Sequence, residues 1–279
     1  MKRSELIRGE LLLEVAGRPG PPPLHWQSAG DGRLLLRQGG RPVLAARVPA
    51  GHGDTAIRRH SGFRSPFPPV RAAAMRGGAN WLHQYARWLD SSAHGPLHDG
   101  RWTLARRSFP PYVWTADLVE EWPTAHFDDA DGWNGVLPLR PLPPLDAPRV
   151  KAYRKAARDG TLAPVLLWWA EFLDGWLLLD GHDRAAAALA EGAEPPCLVL
   201  ARATGAARLA ADLGAMTAYH EQLTERLAAA GESHQLDAVV RGFGRAAAAM
   251  PGDPGPTRTW PLPGGPEAWE ALMLECPGE

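Results

Sequence analysis

The sequence of 279 residues is poor in cysteine and carries almost no net charge. Its two cysteines, Cys197 and Cys276, lie far apart and form no metal-binding spacing, which argues against a disulfide-built secreted fold. The formal net charge of −1 disfavours a protein whose main task is to hold DNA, because such proteins usually present a basic face to the phosphates. The low net charge does not exclude local basic patches, and two groups of basic residues lie close in sequence. One consists of Arg58, Arg59, His60, Arg64 and Arg71, and the other of Arg101, Arg106 and Arg107.

Long apolar runs are also lacking. No run approaches the 18 residues or so that a membrane-spanning helix needs, so we expect no membrane span. The first 15 residues place charges among their apolar side chains and have no signal-peptide core. Together with the scarce cysteines, this predicts a cytoplasmic protein.

What the sequence does have is 12 tryptophans, 28 prolines and 30 glycines. The tryptophans predict large core side chains, and the prolines and glycines predict long irregular connections. Near the beginning, short apolar stretches recur about every ten residues with turn residues between them, which predicts a small antiparallel sheet. These stretches are 10–15, 24–27, 33–37 and 43–48. Residues 49–69 are expected to form a long polar loop, and 70–91 one or two helices.

Two groups of polar residues resemble metal ligands. His52 and Asp54 lie two residues apart in the expected loop, where exposed loop side chains are the alternative interpretation. A second group lacks the glycine and glutamate spacing of a calcium-binding hand and could equally be a solvated loop. It consists of His126, Asp128, Asp129 and Asp131.

The pattern as a whole predicts an α+β protein with two lobes. Residues 1–136 are expected to form an irregular β-rich lobe, and the proline-studded segment 137–145 a connection. Residues 137–203 alternate helices and buried-type strands, and 204–279 predict helices followed by a proline- and glycine-rich tail.

The most informative stretch is 176–192, WLLLDGHDRAAAALAEG. It predicts a short apolar strand, a sharp turn through DGHDR and an alanine-rich helix that ends at Gly192. The first turn of a helix has unpaired N–H groups and the positive end of the helix dipole, so it attracts anions. Gly181 lets the backbone approach a ligand, and Arg184 can direct two hydrogen bonds at a phosphate.

Residues 137–203 resemble the ParB/sulfiredoxin fold superfamily. The similarity rests on the DGHDR motif at 180–184, on its setting between a strand and a helix, and on the upstream segment 158–165, RDGTLAPV. Sulfiredoxins place a nucleophilic cysteine in this turn, where the present chain has His182. ParB partition proteins carry a different turn, of the Gly-Glu-Arg-Arg type, bind CTP, and continue into a helix-turn-helix DNA domain. The free serine kinases carry Asp-Gly-His-His-Arg, from which this motif differs only at Asp183.

The resemblance to the kinases implies a nucleotide-dependent phosphotransferase that acts on a small-molecule or peptide hydroxyl, with ATP (or ADP or CTP) and Mg²⁺. It implies that nucleotide phosphates are held by Gly181, His182, Asp183 and Arg184, and that Asp180 faces the reacting centre or its metal. His182 could act as an acid, and Asp146 is the one acid near the place where the kinases carry a glutamate base.

Structural alternatives stand beside each of these roles. Asp180 and Asp146 could be helix caps, His182 a packed turn residue, and Asp183 solvent-facing. Arg184 could pair with Asp183, Glu191 or another acid. A non-catalytic nucleotide-binding or protein-interaction module, regulatory or of the immunity kind, therefore remains the alternative function. ParB-like nucleic-acid processing is the third, with DNA an unlikely partner because of the charge balance.

Overall fold

The computed structural model describes residues 1–6, 9–49, 54–109, 111–114, 124–128, 135–230, 233–250 and 254–274. In these ranges the chain is a mixed α+β protein, as the sequence predicts, with two mixed sheets and seven helices. The helices are α1 (Ala72–Arg76), α2 (Trp81–Ser91), α3 (Pro148–Arg158), α4 (His182–Leu189), α5 (Ala206–Ala229), α6 (Ser233–Ala249) and α7 (Gly265–Leu274).

One sheet has seven strands in the described part of the chain. In spatial order they are β1 (Lys2–Glu5), β2 (Leu11–Val15), β7 (Gly100–Arg107), β12 (Cys197–Arg202), β10 (Val165–Ala170), β11 (Gly175–Asp180) and β9 (Val136–Pro138). The strands from β1 to β12 are antiparallel neighbours, whereas β10 is parallel to β12 and β11 is parallel to β9. This sheet therefore takes strands from both sides of residue 136, which the sequence analysis did not anticipate.

The second sheet has six described strands. Their order is β13 (Thr259–Pro261), β3 (Leu24–Gly30), β4 (Arg33–Gln38), β5 (Arg41–Arg47), β6 (Asp54–Arg59) and β8 (Thr124–Asp128). The meander β3–β4–β5 confirms three of the four regularly spaced strands expected from the sequence. The stretch 10–15 was expected in the same sheet, but it forms β2 of the seven-stranded sheet. The C-terminal strand β13 then adds beside β3 as a parallel neighbour.

Strand β6 corrects the prediction of a long loop over residues 49–69. Its burial alternates, with Thr55, Ile57 and Arg59 buried, so it is a half-buried strand. The stretch looked like a loop because the strand is made mostly of charged and small residues. Asp54 is exposed at its first position, and His52 lies outside the described residues. Of the second candidate metal group, His126 and Asp128 belong to β8, and Asp129 and Asp131 also lie outside.

Segment 137–145 also differs from its prediction as a connection, because its first residues belong to β9, a buried strand beside β11.

The positions of the helices agree better with the sequence than those of the strands. Helices α5 and α6 lie after residue 204, where helices are expected. No described helix is both long and apolar enough to cross a membrane.

Helix α4 packs closely between α3 and β10. The four alanines 185–188 are at most 2% exposed. Because alanine ends at Cβ, the axis of α4 can lie near its neighbours without a large side chain intervening. This packing fixes the start of α4, and therefore the turn before it, against the sheet.

Candidate functional site

The turn between β11 and α4 has the strand–glycine–helix geometry that the motif predicts. Strand β11 ends at Asp180, α4 begins at His182, and Gly181 between them has a left-handed backbone with φ of 95°. A Cβ at this position would lie 2.8 Å from Val165 Cγ1 and 2.9 Å from Arg184 Nη2. Only glycine therefore fits the turn without strain or displacement of its neighbours.

The Asp180 carboxylate is fully engaged by protein groups. Ser65 Oγ donates to Asp180 Oδ1 at 2.6 Å, and the Tyr85 hydroxyl lies 2.8 Å from Oδ2. Arg184 Nη2 forms an ion pair with the same Oδ2, so the two ends of the DGHDR motif bind each other. Asp180 is 7% exposed and Arg184 only 2%.

The Arg184 guanidinium is equally occupied. Its Nη1 donates to the carbonyl of Pro164, and its Nη2 donates to the Tyr85 hydroxyl at 2.9 Å. Burial lowers the pKa of Arg184, but the adjacent Tyr85 and Asp180 more than offset this and raise it above its usual value. Burial also raises the pKa of Tyr85 well above 10, so the phenol stays neutral. The sequence left open whether Arg184 pairs with Asp183, Glu191 or another acid. In the structure its partner is Asp180.

These contacts do not fit a Mg²⁺ ligand at Asp180. Both carboxylate oxygens already accept hydrogen bonds, and one of them binds a guanidinium, which would have to leave before a cation could enter. In the described ranges, no group of three His, Cys, Asp or Glu side chains is arranged to hold a metal.

His182 is a buried polar side chain at the start of α4 that the described residues leave without a hydrogen-bond partner. The side chain is fully buried, and among the described residues neither ring nitrogen has a hydrogen-bond partner. Its ring centroid lies 6.0 Å from that of Phe63. Burial lowers the pKa of His182 well below 6.5, and Arg140, Arg59 and Arg184 lower it further. His182 is therefore a neutral imidazole at pH 7, with one donor and one acceptor available.

This pKa predicts how stability depends on pH. Because the pKa of His182 is lower in the folded chain than in the unfolded chain, the unfolded chain binds a proton at a higher pH than the folded chain does. Falling pH therefore favours the unfolded state. The free energy of unfolding should therefore decrease below pH about 6.5, by up to about 1.4 kcal/mol per pH unit for His182. Urea denaturation between pH 7.5 and 5 measures this slope. Replacement His182→Phe should make the slope shallower, whereas an unchanged slope would contradict the buried neutral state.

Two further arginines lie near the turn. Arg59 on β6 is buried and its Nη1 donates to the carbonyl of Pro138 at 3.5 Å. Arg140 follows β9, and its side chain is 40% exposed. Arg140 Nη2 lies 3.4 Å from Asp183 Oδ2, so Asp183 is partly buried in an ion pair and not simply solvent-facing. The start of α4 therefore gathers two cations around one unpartnered imidazole.

Asp146 differs from the residues around His182 in its exposure to solvent. It is exposed in the turn before α3, and the N-cap of α3 is Ala147, so Asp146 is not the helix cap. Gly181, not Asp180, is likewise the N-cap of α4. Glu191 pairs with Arg154 and Arg158 on α3.

Four residues of the site were not predicted to belong to it: Ser65, Tyr85, Arg59, which was noted only as part of a basic patch, and Arg140. Tyr85 is buried on α2, within the range where the sequence predicts one or two helices. A buried tyrosine hydroxyl needs a hydrogen-bond partner, which was the one available signal that this residue belongs to a polar network. The other three lie in segments whose proximity to the turn depends on the sheets.

The chain was compared with known proteins at three levels. No protein-family model, no curated protein and no solved structure matches it. What the site does must therefore be argued from its geometry and from the resemblance carried by the DGHDR motif.

Proposed function

We propose that this protein binds a nucleotide, and that the phosphate lies at the start of α4 beside His182, Arg140 and Arg59. The observation that carries the proposal is the fully buried His182, whose two ring nitrogens have no partner among the described residues while arginines surround it. An unpaired buried polar side chain is unfavourable on its own, and it is accounted for when a ligand supplies the missing hydrogen bond.

Arg140 is the residue that would admit the phosphate. Its pair with Asp183 is partly exposed and 3.4 Å long, so it contributes little stability and is easily exchanged. In the bound state the Arg140 guanidinium would turn from the carboxylate to two phosphate oxygens, which it binds with the same fork geometry. The helix dipole of α4 adds attraction for the negative charge.

The proposal assigns a different role to the two ends of the motif. Asp180 and Arg184 form a buried scaffold that fixes the turn, and the residues between and around them meet the ligand. The likeness of the DGHDR motif to the nucleotide-phosphate turn of the ParB/sulfiredoxin superfamily supports the same location.

Isothermal titration calorimetry with ATP, ADP and CTP, each with Mg²⁺, tests the proposal. Wild-type protein should bind at least one of them, and Arg140→Ala should weaken binding roughly 10- to 100-fold, as loss of a charged hydrogen bond does. The matched control is Arg226→Ala on α5, which removes an exposed arginine elsewhere. If the wild type binds none of the three nucleotides, or both variants bind alike, the proposal is wrong.

A phosphotransferase is the second candidate, and Asp183 is the observation that favours it. This carboxylate lies in the first turn of α4, next to His182, with its side chain 20% exposed. It can therefore approach an acceptor hydroxyl and take its proton while the hydroxyl oxygen attacks the terminal phosphorus. In this version Asp183 performs the role of general base, for which the resemblance offered Asp146.

The two candidates are separated by nucleotide consumption. Release of ADP is followed with ATP, Mg²⁺ and a panel of amino acids and peptides as acceptors. If the protein is a kinase, Asp183→Asn should abolish release while calorimetry still detects nucleotide binding. Binding without consumption by the wild type would leave the nucleotide-binding module as the function.

A further inference from the structure

A groove with three arginines opens at the same edge of the seven-stranded sheet as the β11–α4 turn. Arg106 and Arg107 end β7, and they pair with Leu198 and Cys197 at the start of β12. Arg76 at the end of α1 also lines this cavity. The cavity has a volume of about 570 Å³, which is within the usual range for small-ligand pockets. We call this cavity the arginine groove.

Positive charge dominates the arginine groove. Arg76 and Arg106 are exposed, and neither has an ion-pair partner in the described part of the chain. Arg107 lies 3.9 Å from a carboxylate oxygen of Glu10, which is a long contact. Three of the described lining residues are arginines and none is an acid, although Glu194 lies near enough to Cys197 to raise the pKa of its thiol. The groove therefore attracts an anion with more than one negative charge.

The floor of the arginine groove is apolar. Trp81, Met75 and Leu162 line it, and each is at most 9% exposed. Cys197 also lines it, but burial raises the pKa of its thiol well above the usual value, and its Sγ donates to the Pro195 carbonyl. The thiol therefore stays protonated and behaves as a small apolar group rather than as a nucleophile.

The apolar floor and the three arginines of the groove together define the class of ligand. A polyanion that binds by charge alone needs no apolar floor, and an apolar ligand needs no arginines. We propose that the arginine groove binds a small organic phosphate whose flat apolar part lies against Trp81 and whose phosphate meets Arg76, Arg106 and Arg107. A nucleoside monophosphate has this chemistry and this size.

The buried scaffold of the turn is hydrogen-bonded to one residue that lines the arginine groove. Pro164 lines the groove, and its carbonyl accepts a hydrogen bond from Arg184 and lies 2.9 Å from the Tyr85 hydroxyl. Tyr85 is one helical turn after Trp81 on α2. The Asp180–Arg184 pair therefore positions both the turn and Pro164 in the adjacent groove. Neither charged residue lines the groove itself.

Calorimetric titration with AMP tests the inference, with adenosine and inorganic phosphate as the two partial probes. AMP should bind, and both partial probes should bind at least about 10-fold more weakly, because each lacks one half of the recognition. The double variant Arg76→Ala/Arg106→Ala should weaken AMP binding roughly 10-fold or more. Both side chains are exposed, so the double variant should fold; circular dichroism and a thermal transition like that of the wild type check this.

Control variants separate the arginine groove from the start of α4. Arg226→Ala should leave AMP affinity unchanged, and Arg140→Ala should weaken AMP binding less than the double variant does. The inference is overturned if AMP does not bind, if adenosine binds as tightly as AMP, or if Arg140→Ala weakens AMP binding as much as the double variant does. It is also overturned if a single-stranded oligonucleotide binds through Arg76 and Arg106 while AMP does not.

Discussion

Replacement Arg184→Ala should lower the free energy of unfolding by about 3–5 kcal/mol, the range found when one partner of a buried ion pair is removed. The variant leaves the Asp180 carboxylate buried with only Ser65 and Tyr85 as donors, and it leaves the Pro164 carbonyl with Tyr85 alone. Tyr85 has one hydroxyl proton and cannot serve both acceptors at once. At least one buried acceptor therefore loses its hydrogen bond.

Urea denaturation at pH 7 measures this effect, and the chain offers a close control. Arg208 and Asp212 on α5 form an ion pair with the same spacing of four residues, but their side chains are 77% and 37% exposed. Arg208→Ala should lower the free energy of unfolding by less than about 1 kcal/mol. Similar losses in the two variants would show that the Asp180–Arg184 pair contributes no more than a surface contact.

A double replacement tests whether the uncompensated charge is the cause. Asp180→Asn/Arg184→Met removes both charges while keeping most of the volume, and it should recover part of the stability lost in Arg184→Ala. For the same reason, Arg184 is a poor position at which to test nucleotide binding, since loss of folding would imitate loss of the ligand. Arg140, which is partly exposed, is the better choice.

Local features of this fold were predictable from the sequence, and long-range pairings were not. Helices were predicted after residue 204, where apolar side chains recur at helical spacing, and α5 lies there. The meander from β3 to β5 followed from regularly spaced turns. In contrast, the pairing of β7 with β12 joins residues about a hundred positions apart, and no local pattern specifies such a partner.

The site shows the same division. The strand, the glycine turn and the start of α4 were all predicted from the DGHDR motif. Pairing between Asp180 and Arg184 was also open to prediction, because residues four apart lie on one helical face or just before it. Ser65 and Tyr85 complete the network from 115 and 95 residues away, so the occupied state of Asp180 could be learned only from the structure.

Replacement Gly181→Ala should lower the free energy of unfolding by about 2–5 kcal/mol, through two separate effects. The left-handed backbone, with φ of 95°, contributes about 1–2 kcal/mol for any residue with a Cβ. The added methyl group would also lie 2.8 Å from Val165 Cγ1 and 2.9 Å from Arg184 Nη2, and such crowding in a packed interior adds about 1–3 kcal/mol.

Gly160→Ala separates the two effects. Gly160 also has a left-handed backbone, with φ of 66°, but no heavy atom lies within 4 Å of a Cβ built there. Denaturation of this variant should therefore report the backbone effect alone, about 1–2 kcal/mol. If Gly181→Ala is destabilised no further than Gly160→Ala, the side chains of Val165 and Arg184 move to accommodate the methyl group at little energetic cost. In that case Arg184 is not held rigidly enough to act as the scaffold on which both the phosphate site and the arginine groove depend.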